Sequence, residues 1–158
     1  MAKFTDLKER EWVLAITVAD IRRVRQRLDV DLLTKDLPAL LERLLSDYVL
    51  LADVLFVLVE PAAESAGVTD EDFGGALAGD PIEAASIALI EALRDFTPNP
   101  RDRARVGRLL EMILKAAEEY REQAEKELDR AVPAILAAVR TGAPFTSSQG
   151  SRESTPEA

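Results

Sequence analysis

Between Asp70 and Pro81 the chain reads DEDFGGALAGDP, with Asp70, Glu71, Asp72 and Asp80 crowded around Gly74, Gly75 and Gly79. Carboxylates at that density beside turn-forming glycines are what an oxygen-ligated cation requires. A calcium loop wants side-chain oxygens at its positions one, three and five, a glycine at six and a bidentate Glu at twelve. Counted from Asp70, positions one, three and six fit, but position five is Gly74 and position twelve is Pro81, and neither side chain can bind a metal. A phosphate loop fails as well, because no strand leads into the glycines and no lysine follows as in a Walker motif. Helix punctuation accounts for the charges. Thr69 reads as an N-cap with Asp70, Glu71 and Asp72 in the first turn, where carboxylates favour the positive end of the helix dipole. Gly79 suits a left-handed helix end, Asp80 a second cap, Pro81 a first helical position and Glu83 the partner of a capping box. Gly74 and Gly75 stay unaccounted for, at a cost of about 1 kcal/mol each relative to alanine, and are expected to allow close packing or movement.

Elsewhere the chemistry-bearing residues are sparse. The 158 residues include no histidine and no cysteine, which removes the usual neutral-pH base, thiolate nucleophiles, disulfides and the commonest metal ligands. Di-metal bundles pair Glu with Glu-x-x-His, a pattern this chain cannot build. Asp53 lies inside the apolar run Val49–Val59 and is the one carboxylate worth watching. A carboxylate-dependent metalloenzyme is therefore a remote alternative, against the plainer reading of an Asp at a bundle edge or bonded to a neighbouring helix. No enzymatic activity, metal or cofactor is expected.

The net charge of −9 is unevenly placed: residues 51–99 carry one cation, Arg94, and ten carboxylates, whereas the flanking stretches balance. No basic face for nucleic acid is expected. The run Val49–Val59 is eleven residues long, short of the about 20 needed to span a bilayer. MAKFTDLKER holds no apolar stretch for a signal peptide, so a cytoplasmic protein without a membrane anchor is expected.

The elements that must position these residues follow from periodicity. Residues 4–18 read as a β-hairpin, with KFTD as one strand and EWVLAITV as the other; Trp12, Leu14, Ile16 and Val18 share a face. A lone hairpin must pack on helices or pair with another copy through its open edge, and self-association there is expected. A first helix begins at Asp20. Its cations Arg22, Arg23, Arg25 and Arg27 form the densest basic cluster in the chain: either a docking patch for an acidic partner or an ordinary solvated face. A second helix, from about Pro38 to Val59 and ended by Glu60-Pro61, is apolar nearly all round and forms the expected centre of the fold. Asn99 and Pro100 open a long helix whose apolar strip thins after Tyr120, so that its charged section projects into solvent or meets a partner. Pro133 should kink or end it, leaving a short helix up to Gly142. Arg101, Arg105 and Arg108, unfavourable at a helix N-terminus, are expected to form salt links to residues 70–95. Residues 143–158, APFTSSQGSRESTPEA, read as a disordered tail. The whole is a mostly α fold: an N-terminal hairpin, about five helices in one domain over residues 1–142, and the tail.

Taken in order, FTDLKEREWVLAITVADIRRVRQRLDVDLL, the apolar helix and GVTDEDFGGALAGDPIEAASIALIEALRDF resemble phage and prophage tail assembly chaperones over about residues 4–100. The resemblance implies a small helical protein of the host cytoplasm, absent from the mature virion. It implies binding to the tape measure protein, which is kept soluble, and recruitment of the tail tube protein. In many phages a frameshift also makes a longer form. No catalytic residue is implied. A head–tail completion protein or another phage adaptor is the alternative.

Overall fold

The structure, a computed structural model, describes residues 1–142; the expected disordered tail lies outside them. It is mostly helical: a two-stranded antiparallel hairpin, β1 (Ala2–Thr5) and β2 (Glu11–Leu14), precedes six helices among the described residues. The residues group into a compact unit, Met1–Lys115, and a second unit starting at Ala116.

Alternation builds the hairpin. Ala2 and Phe4 of β1, with Trp12 and Leu14 of β2, face the core, and Phe4 stands opposite Trp12 in the register. The strand stops four residues before the expected end. Thr17 accepts a hydrogen bond from the Asp20 N–H, and the Asp20 carboxylate accepts one from the Thr17 N–H at 2.8 Å. This capping box starts α1 (Val18–Leu28), so Asp20 is its third helical residue and Val18 is an exposed helical residue, not a strand residue. Local capping, which satisfies two otherwise orphan donors, overrides the alternation.

The expected helix 38–59 is two helices. α2 (Leu37–Ser46) and α3 (Tyr48–Ala66) meet at Asp47, which ends the first and caps the second by accepting from the Leu50 N–H at 3.0 Å. The break shifts the helical phase and leaves Tyr48 exposed. Nor does Pro61 end α3, which continues to Ala66 and stops at Gly67 in the left-handed conformation, φ 65°. The proline forfeits one backbone bond, while the added turn buries Ala63 completely. α3 is the centre of the fold, as its composition implied: it packs against α1, α2, α4, α5 and β2.

α4 (Asp70–Gly75) is capped by Thr69 as expected, its side chain accepting from the Asp72 N–H at 3.2 Å. Its single buried residue is Phe73. The Phe73 ring meets Trp12, Phe56 and Phe4 at centroid separations of 5.3, 5.6 and 6.4 Å, edge-on to Trp12 and Phe4, the arrangement that ring quadrupoles favour. Gly79 does take positive φ, 62°, but as the residue before α5 (Asp80–Phe96). Asp80 is thus the first helical residue and Pro81 the second. No side chain caps α5, which corrects the capping box expected at Asp80 and Glu83. Both carboxylates still lie in the first turn, where their charge opposes the helix dipole.

α6 (Pro100–Thr141) is opened by Asn99, whose side chain accepts from the Arg101 N–H at 2.9 Å. Pro133 lies inside it without ending it, because the surrounding Ala, Leu and charged residues are strong helix formers. The expected salt links from Arg101, Arg105 and Arg108 to residues 70–95 do not occur among the described residues; Arg105 reaches Asp102 of its own helix at 3.5 Å. Arg103 takes the compensating role. Its Nε donates to the Thr97 carbonyl at 3.0 Å and its Nη2 to that of Pro98 at 3.4 Å. Those carbonyls lie at the C-terminal, negative end of α5, so a cation at the start of α6 is held by the preceding helix.

Candidate functional site

Three of the four arginines in the basic cluster on α1 are ion-paired within the chain. Arg23 pairs with Asp20 and is half-buried. Arg25 meets Asp31 at 2.6 Å, and Arg27 meets Glu60 of α3 at 2.6 Å. The bond from Arg25, helped by the Leu33 N–H, lowers the Asp31 carboxyl below its ordinary value. Arg22 has no ion-pair partner among the described residues. Three of the four guanidinium groups therefore tie α1 to its C-terminal loop, to its own first turn and to α3.

Asp53 is half-buried in α3, where it lines a groove of about 310 Å³ with Asp70, Gly74 and Leu77. Burial raises its carboxyl above the ordinary value, and the charges of Asp70 and Asp47 add to the rise. Among the described residues no three carboxylates gather closely enough to hold a metal ion. Gly74 and Gly75 do not serve close packing: a Cβ added at either would meet nothing within 4 Å.

The carboxylate that composition did not single out is Asp6. It is buried beneath the hairpin turn, where its Oδ2 accepts from Arg10 Nε at 2.7 Å and from Trp12 Nε1 at 2.9 Å, and its Oδ1 from the Lys8 and Arg10 N–H groups. Burial alone would raise its pKa, but these donors outweigh it and hold the carboxyl below its ordinary value. The turn so formed grips α4. The Leu7 N–H donates to the Ala76 carbonyl at 2.9 Å, Arg10 Nη2 reaches the Asp72 carbonyl at 3.3 Å, and Lys8 lies 3.8 Å from the Asp72 carboxylate. Asp6 is an organiser of structure. Its only sequence signal was an Asp two residues before a Lys in a tight connection.

A larger groove, about 790 Å³, runs between the loop into α2, the end of α5 and the first turns of α6. Leu32, Leu37, Leu93, Val106 and Leu109 form its apolar lining, and Leu33 and Met112 stand exposed at its edge. Lys35, Arg105 and Arg108 also line it, against one carboxylate, Asp102. An apolar trough with net positive charge suits the apolar face of a helix flanked by acidic side chains. Sequence reading missed this groove because its walls come from three segments far apart in the chain; the stripe Arg101, Arg105 and Arg108 was its one visible trace. Among the described residues no helix is long and apolar enough to cross a membrane.

Comparison with protein-family models, with curated proteins and with solved structures found no match.

Proposed function

We propose that this protein acts by binding, as a phage tail assembly chaperone that holds the tape measure protein and assists addition of the tail tube protein. The reading takes its partner from the resemblance over residues 4–100. The observation that carries it is the open groove with apolar lining and basic side chains, which offers a long helical client a place to bury its apolar face. Covering the apolar face of a helical client in this groove would keep the client in solution. On this reading the protein works in the host cytoplasm and does not stay in the mature virion.

The test is co-expression with a tape measure protein. The expected result is recovery of the client in the soluble fraction and co-purification of the two chains, both lost when Leu33 and Met112 are replaced by Glu. A client equally insoluble with and without the protein, and no co-purification, overturns the proposal.

A further inference from the structure

The last third of α6 carries a surface that the groove does not use. Leu128, Val132, Ile135, Leu136 and Val139 are all exposed, and their spacing places them on one face of the helix. Small residues continue that face, with Ala124, Ala131 and Ala138 recurring every seven positions, as Leu128 and Ile135 also do. A seven-residue repeat, carried here over two heptads, is the spacing of a helix that packs along another helix. Pro133 lies about 100° around the helix from Val132 and so falls outside the stripe.

We propose that the stripe Ala124–Val139 is a self-association surface, on which two copies of this chain pair with their helices antiparallel. Charge selects both the occupant and the direction. Residues 118–130 carry six carboxylates and three cations, whereas residues 131–142 carry Arg140 alone. Parallel pairing would lay the acidic half of one helix along the acidic half of the other. Antiparallel pairing centred between Ala131 and Val132 brings Arg140 within one residue of the level of Glu122 in the second copy. Arg140 and Glu122 lie on the same flank of the stripe, and like flanks meet when helices run in opposite directions. The same register sets Ala124 opposite Val139, Leu128 opposite Ile135 and Ala131 opposite Val132, so the apolar residues of the two copies meet along the whole stripe. The stripe is about 24 Å long. The association is therefore short and concentration-dependent, and independent of the tape-measure reading.

Sedimentation equilibrium of the full chain should show a monomer–dimer equilibrium. The double substitution Leu128→Glu and Ile135→Glu should weaken it about tenfold or more while leaving the helical circular dichroism unchanged, since both side chains are exposed in the single chain. The absence of cysteine makes site-directed crosslinking clean. Under mild oxidation Val132→Cys should crosslink to itself. Glu122→Cys and Arg140→Cys should crosslink when mixed, and neither should do so alone. A monomer at every reachable concentration overturns the proposal, as does a dimer indifferent to the double substitution. Self-crosslinking of Arg140→Cys overturns the antiparallel direction.

Discussion

The indole Nε1 of Trp12 donates to the buried Asp6 carboxylate at 2.9 Å, while Arg10, bonded to the same carboxylate, lies with its guanidinium carbon 5.5 Å from the Trp12 ring centroid. One carboxylate thus satisfies the indole, fixes the arginine over the ring and closes the turn that grips α4. Replacing Asp6 by Ala leaves the indole N–H and two backbone donors without their acceptor, and should cost about 3 kcal/mol in urea unfolding. The pH dependence has a definite sign. The folded-state pKa of Asp6 lies below its ordinary value, so its contribution is fully present above the ordinary carboxylate pKa and is lost as pH falls through the folded value. Acid unfolding of the native chain should therefore show a loss that the Asp6→Asn variant, already weakened at neutral pH, lacks.

Asp53 should behave in the opposite way. Its carboxyl is raised by burial and by Asp70 and Asp47, so the folded state binds its proton more tightly than the unfolded state does. The penalty is full above the raised pKa and vanishes below the ordinary value. Asp53→Asn should raise the melting temperature at neutral pH and leave it unchanged at about pH 3.5. Equal effects at both values would show that the residue acts through packing and not through charge.

Glycine substitutions in α4 and before α5 should separate cleanly. Gly74 is helical with open space around an added Cβ, so Gly74→Ala should stabilise by about 0.5 to 1 kcal/mol. Gly79, at φ 62° and ψ −133°, holds a conformation that an L side chain resists, and Gly79→Ala should cost about 1 to 3 kcal/mol. Chemical denaturation of the two variants side by side reads both signs.

Groove variants should lose binding without losing the fold. Met112 is 67% exposed and Leu33 51% exposed, so Met112→Glu and Leu33→Glu remove little buried surface and should shift stability by less than about 1 kcal/mol. Each should weaken client capture in a pull-down, because each adds a carboxylate where an acidic-flanked helix is proposed to dock. Arg108→Glu should do so more at low salt than at high salt, since screening shortens the reach of the charge.

Much of this fold was legible in the residues themselves. The alternation of Phe4, Trp12 and Leu14, the cap at Thr69, the opening of α6 at Asn99-Pro100 and the apolar α3 are encoded by neighbours in sequence, where steric preference, capping and periodicity act over a few residues. What failed locally failed because two signals competed within one segment. Asp47 could be a helix surface residue or a cap, and Pro61 could stop a helix or be carried through by the burial of Ala63. Tertiary structure alone decided the rest. It assigned three of the α1 arginines to nearby carboxylates, set Asp6 beneath an indole, and gathered Leu33, Leu93 and Met112 around one groove. Those relations depend on which segments burial of the core brings together, and burial acts on surface area without regard to distance along the chain.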